Sequence, residues 1–169
     1  MWKVIRQTAA YRWIGLAVAC IVFGVDRTLK ILTNQGRLHG TFGPLQLIPL
    51  HNTGAMGGSF AHATLLLGLI GLVVVGGLLV LFVRYRPRAT RSLYGVAWGF
   101  LFGAAVGNTY GRIVNGYVTD MFHFPGNHGI FNFADVSLQL GIVLLLIHVF
   151  FGQPKAVDEK REYQERKSG

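Results

Sequence analysis

Acidic side chains are what this chain of 169 residues has least of: seven Asp and Glu stand against sixteen Lys and Arg. No glutamate occurs before Glu159, and Asp158, Glu159, Glu162 and Glu165 all sit in the C-terminal tail. Asp26, Asp120 and Asp135 are the remaining acids. Charged residues make up only 14% of the chain against 51% hydrophobic, and they bunch between long apolar runs, which excludes the mixed-charge surface of a soluble domain. The single cysteine, Cys20, excludes an internal disulfide and any multi-cysteine metal site, and within an apolar run it reads as a small hydrophobe. A net charge of +9 would suggest a nucleic-acid partner in a soluble protein. Here the bases flank apolar runs and form no face, so no nucleic-acid binding is expected.

Four apolar runs are present, roughly Trp13–Leu32, Ala63–Val83, Leu93–Ile113 and Phe133–Phe151. Each has about the 20 residues that a helix needs to cross a hydrocarbon core. Twelve of the sixteen bases lie before the first run, between the second and third, or after the fourth. By the positive-inside rule both termini are then cytoplasmic. The basic start and Ala17-Val18-Ala19-Cys20 also resemble a cleavable leader, but the apolar run continues past Cys20, as a retained span would. The expected fold is an all-α membrane protein of four transmembrane helices with a small extracytoplasmic β-rich first loop. Residues 1–152 would form the membrane domain and 153–169 a charged cytoplasmic tail.

The first loop, Thr33–His62, carries Gly, Pro and β-branched residues and reads as short strands or turns. The third loop, Val114–Phe131, with Gly116, Pro125, Gly126 and Gly129, reads as irregular. Gly95, Gly99, Gly103, Gly107 and Gly111 recur every four residues along the third run, a groove against which a partner helix can lie. Gly68, Gly71, Gly76 and Gly77 give the second run a weaker version of the same face.

With this topology Asp26, Asp120 and Asp135 converge on one membrane face, where an intramembrane acid points to a function or a fixed partner. Lys30 follows Asp26 by four residues, so a structural ion pair on one helix face accounts for Asp26. Asn132 or Asp135, at the start of the fourth run, reads as a helix N-cap that satisfies free N–H groups. Asp120 has no partner nearby in sequence and reads either as a solvated loop acid or as one half of a carboxylate pair with Asp135. Two adjacent carboxylates share a proton, and then one can accept a proton from water while the other donates one. His51, His123 and His128 with Asp120 form a rival, a loop zinc site, but without the helical i, i+4 histidine spacing of zinc proteases.

Five segments, in order, resemble motifs of the lipoprotein signal peptidases, also called type II signal peptidases. Asp26-Arg27-Thr28-Leu29-Lys30 is similar to that family's Asp-x-x-x-Lys, and His51-Asn52-Thr53-Gly54-Ala55 to its Asn-x-Gly-Ala. Gly107-Asn108-Thr109-Tyr110-Gly111-Arg112 is similar to its Gly-Asn-x-x-Asp-Arg, with Gly111 where the family has the acid. After Gly54-Ala55 the chain reads Met56-Gly57-Gly58, another departure. Gly116-Tyr117-Val118-Thr119-Asp120 and Phe131-Asn132-Phe133-Ala134-Asp135 resemble the two segments that bear the family's catalytic aspartates. The resemblance implies an aspartic endopeptidase of the bacterial inner membrane that cuts diacylglyceryl-modified prolipoproteins just before the lipobox cysteine, and a monomer is expected. Its active site would lie at the extracytoplasmic face, in contact with membrane lipid. Asp120 and Asp135 would be catalytic. Asn52, Gly54, Asn108, Arg112 and Asn132 would line the site, Asp26 and Lys30 would support it, and no metal or organic cofactor is implied. The alternative is a divergent, peptidase-like protein that binds lipoproteins or lipid without cleavage.

Overall fold

Four helices carry the fold, and a small antiparallel sheet closes one end of them. The computed structural model describes residues 2–55, 60, 62–87, 90–126 and 129–152. The expected charged tail, His128 and the Met56-Gly57-Gly58 segment lie outside these residues. Helix α1 spans Trp2–Asn34, α2 Thr64–Arg84, α3 Arg91–Tyr110 and α4 Phe133–Phe151. Each apolar run is thus one helix, although α1 begins well ahead of its run. Helix α3 continues into one π-helical turn, Gly111–Asn115, and ends at Gly116 in the left-handed conformation that glycine adopts freely.

The sheet comprises β1 (Gly40–Phe42), β2 (Leu45–Asn52), β3 (Val118–His123) and β4 (Ile130–Phe131), ordered β1-β2-β3-β4 with every pair antiparallel. The expectation of a sheet built by the first loop alone is therefore corrected. The third loop, expected to be irregular, supplies β3 and β4. Strand β3 escaped notice because Val118, Thr119, Asp120 and Met121 are all buried, so the strand has no polar–apolar alternation to read.

The glycine ladder of α3 is a seam with α1. A Cβ on Gly99 would lie 2.6 Å from the Gly15 carbonyl oxygen, on Gly103 2.7 Å from that of Ala19, and on Gly107 2.5 Å from Asp26 Oδ2. Contacts climb both helices together, so α1 and α3 run parallel with backbones touching, and the gain is dispersion between close surfaces. Helix α3 is central: Gly141 of α4 seats against Leu101, and Gly68 and Gly71 of α2 against Ile113 and Thr109. Gly76 and Gly77 face open space and belong to no seam.

Polarity is inverted relative to a water-soluble protein. Asp26, Lys30, Asn132, Ser137 and His148 are buried, whereas Leu65 and Val73 of α2 are 67% and 75% exposed. Helices α2 and α4 are long and apolar enough to cross a membrane. Helices α1 and α3 are less apolar, since α1 carries Lys3, Arg6, Arg12, Asp26, Arg27 and Lys30, and α3 carries Arg91, Asn108 and its glycines. At the end away from the sheet, the Phe82 ring stacks 3.7 Å from Trp98, whose indole N–H donates to the Leu78 carbonyl.

Candidate active site

Strand β3 delivers Asp120 because side chains alternate along it. Val118 and Asp120 turn toward a cavity of about 480 Å³. Thr119 and Met121 turn the other way, onto the end of α1, where Thr119 donates to Asn34 Oδ1 and Met121 Sδ accepts from Thr33. Asp135 arrives from the opposite wall, in the first turn of α4. Asn132 caps that helix: its Oδ1 accepts from the Asp135 N–H at 3.1 Å, and Asp135 Oδ2 accepts from the Asn132 N–H at 3.1 Å. This reciprocal capping box fixes the Asp135 carboxylate against the backbone.

Both aspartates line the same cavity, together with Asn52, Asn108, Arg112 and Asn132. Each carboxylate oxygen accepts one amide N–H. Asp120 Oδ1 takes Asn132 Nδ2 at 2.6 Å and Oδ2 takes Asn52 Nδ2 at 2.9 Å. Asp135 Oδ1 takes Asn108 Nδ2 at 2.9 Å, and its Oδ2 takes the Asn132 backbone.

The three asparagines cannot turn over, because a donor already occupies each amide oxygen. The Gly54 N–H donates to Asn52 Oδ1 at 2.9 Å, the Asp135 N–H to Asn132 Oδ1, and the Lys30 ammonium to Asn108 Oδ1 at 2.8 Å. A flipped amide would set donor against donor, so every NH2 group faces a carboxylate.

Lys30 is itself 2% exposed and paired at 2.8 Å with Asp26, which is fully buried. The other Asp26 oxygen accepts from the Ala134 N–H at 3.1 Å, at the start of α4. The buried pair thus sits behind the cavity wall and joins α1 to both Asn108 and α4. Gly54 likewise stands behind the wall, its carbonyl accepting from Arg112 Nη2 at 3.3 Å. Arg112 comes off the π turn, and its buried Nε has no partner among the described residues.

Burial pushes the Asp120 carboxyl above its ordinary value, and the neighbouring Asp135 charge adds to the rise. Hydrogen bonds from Asn132 and Asn52, and the charge of Lys30, pull it back without overturning the effect of burial. Such a carboxyl keeps its proton to higher pH than a free aspartate, which suits it to donate.

Among the described residues no metal cluster forms around Asp120, and His128 lies outside them. His51 stacks on Tyr117 with ring centroids 4.0 Å apart and bonds Asn34 Oδ1. Sequence reasoning missed the apolar half of the cavity, Ile130 and Phe131 of β4 and Leu138 and Ile142 of α4. The α4 pair was within reach, since it follows Asp135 at the i+3 and i+7 positions of one helical stripe.

A family model described as signal peptidase (SPase) II matches residues 18–151. A lipoprotein signal peptidase of Sulfurovum sp. (strain NBC37-1) is 36% identical over 148 residues, 85% of this chain and 97% of that one. One from Caulobacter vibrioides is 32% identical over 166 residues, covering 89% and 94%. A solved structure described as a bacterial membrane enzyme shares the fold, with TM-score 0.70, 23% identity and coverage of 83% of this chain and 92% of that one.

Proposed function

The chain belongs to the signal peptidase II family, and on that premise we propose that it is an aspartic endopeptidase that removes signal peptides from diacylglyceryl-modified prolipoproteins. The observation that carries this reading is the pair Asp120 and Asp135 on one cavity, with all four oxygens held by amide donors. All four helices cross the bacterial inner membrane, with both termini cytoplasmic and the sheet end outside. The placement of twelve of the sixteen bases supports that orientation, and the apolar exposure of α2 and α4 supports their contact with lipid. Residues 1–152 are the membrane peptidase domain, and 153–169 a cytoplasmic tail. One copy suffices, since a single chain supplies each of these polar contacts.

In the reaction Asp120 begins protonated and Asp135 ionised. A water between them loses a proton to Asp135 as its oxygen bonds to the scissile carbonyl carbon. Asp120 passes its proton to the carbonyl oxygen, giving a tetrahedral diol. Collapse returns that proton to Asp120, the carbon–nitrogen bond breaks, and Asp135 gives its proton to the departing amine of the lipidated cysteine. The asparagine donors hold both carboxyls in place throughout, the positioning on which such catalysis depends. Asn108, Arg112, Asn52 and Asn132 surround the substrate backbone, while Asp26, Lys30 and Gly54 act from behind the wall.

The second reading, a relative that binds lipoproteins without cutting, draws on Gly111. A Cβ there would lie 2.9 Å from the Tyr117 carbonyl oxygen, so glycine suits the close approach of the π turn to the chain leading into β3. With glycine at position 111, Asp120 and Asp135 still keep all their amide donors, which favours the enzyme. Incubation of a diacylated precursor with purified variants, followed by gel shift, separates the readings. Asp120→Asn and Asp135→Asn should each abolish cleavage while the protein still accumulates in the membrane. Normal processing by both would sink the proposal.

A further inference from the structure

Helix α4 continues the cavity wall below Asp135. Leu138, Gln139 and Ile142 follow it around the same cavity, the i+3, i+4 and i+7 positions of one stripe. The stripe descends about 10 Å along the helix axis from the carboxylate. Leu138 and Ile142 are 37% and 46% exposed and suit hydrocarbon. Gln139 does not. It is exposed, and its carboxamide makes no hydrogen bond among the described residues, whereas the three cavity asparagines are all held. On the cavity wall the carboxamide is free to take a partner that arrives with a ligand.

We propose that Gln139 is a substrate-binding residue that pairs with a peptide group of the signal peptide, about two residues before the bond that is cut. The inference rests on the peptidase reading. A segment must be extended for its carbonyl to reach the aspartates, and it then loses its helical hydrogen bonds in a medium that offers none. One carboxamide supplies both the donor and the acceptor that a freed peptide group needs. Gln139 lies one turn below Asp135, about 6 Å, and an extended chain covers that in about two residues. The signal peptide, entering from the cytoplasmic side, places the residues before the scissile bond at that depth.

Kinetics of the purified full-length protein on a diacylated precursor peptide test this. Gln139→Leu should raise KM roughly fivefold, the loss of about one hydrogen bond, with the larger part of the effect in KM and not in kcat. Its thermal midpoint should not fall, because no internal bond is lost; if it fails to accumulate, Gln139→Met carries the same comparison. N-methylation of the second peptide group before the scissile bond should raise KM for the natural protein, but much less for the variant. An unchanged KM in the variant, or additive effects at each peptide group scanned, would overturn the assignment. Dead Asp120→Asn and Asp135→Asn beside an unchanged Gln139→Leu would sink this inference alone, whereas active aspartate variants would sink the peptidase reading itself.

Discussion

Asn132 donates its side-chain amide to Asp120 at 2.6 Å, and its backbone N–H to Asp135 at 3.1 Å. One residue therefore sets the spacing of both carboxyls, and it does so as the cap of α4. Asn132→Ala should lower cleavage roughly 100-fold through misplacement of the pair. It should also cost about 1 kcal/mol of stability as a lost cap. Asn132→Asp keeps a capping oxygen but turns a third carboxylate toward Asp120, so helix content should survive while activity does not. Circular dichroism beside the gel-shift assay distinguishes the two effects.

Lys30 sits behind the wall yet orients Asn108. Lys30→Met leaves Asp26 charged and buried, a loss of roughly 3–5 kcal/mol, and frees the Asn108 amide to turn. The double variant Asp26→Asn/Lys30→Met should recover much of the stability in thermal unfolding. Cleavage should stay low, because nothing then holds the Asn108 oxygen. Recovery of both together would make the lysine a purely structural residue.

Asp120 sets the pH response. Its folded carboxyl titrates above the unfolded one, so its stabilising contribution is fully present below the unfolded pKa and is lost as pH rises through the raised folded pKa. Thermal midpoints of the natural protein should therefore fall, relative to Asp120→Asn, across that raised window. Cleavage should fall over the same window as the Asp120 proton leaves. Asn52→Leu removes a donor that lowers the Asp120 value, so its residual activity should decline at higher pH than that of the natural protein. A shift in the other direction would contradict the assignment of Asp120 as the acid.

Glycines of α3 and α2 should respond differently to the same kind of change. Gly103→Val would press into the Ala19 carbonyl and Val22, with Cβ distances of 2.7 and 2.9 Å, and should separate α1 from α3. Accumulation and cleavage should both drop. Gly76→Ala meets nothing within 4 Å and should be neutral or stabilise by up to about 1 kcal/mol. Membrane levels by immunoblot and thermal midpoints in detergent compare them.

Much of this architecture was legible because it is local. Apolar length marked the four helices, the i, i+4 spacing marked Asp26 with Lys30, and the start of the fourth run marked Asn132 or Asp135 as a cap, though not that the two cap reciprocally. The glycine period announced a seam, but not its partner, since nothing in α1 names α3. Strand β3 was hidden by burial on both faces. The asparagine locks were hidden for another reason: Lys30 and Asn108, or Asn52 and Asp120, meet only after the chain has folded. The motif resemblance pointed to those residues without giving the direction of a single amide.

The seam between α1 and α3 also acts as a ruler. Its notches recur each helical turn, so the two helices could re-engage only after a slip of about 6 Å. Such a slip would carry Lys30 away from Asn108 and Asp26 away from the start of α4, leaving the buried pair without its partners on the other helices. Intermediate offsets find carbonyls against side chains with no notch to receive them. On the peptidase reading, a backbone fit far longer than the two aspartates would hold their register against jostling by lipid.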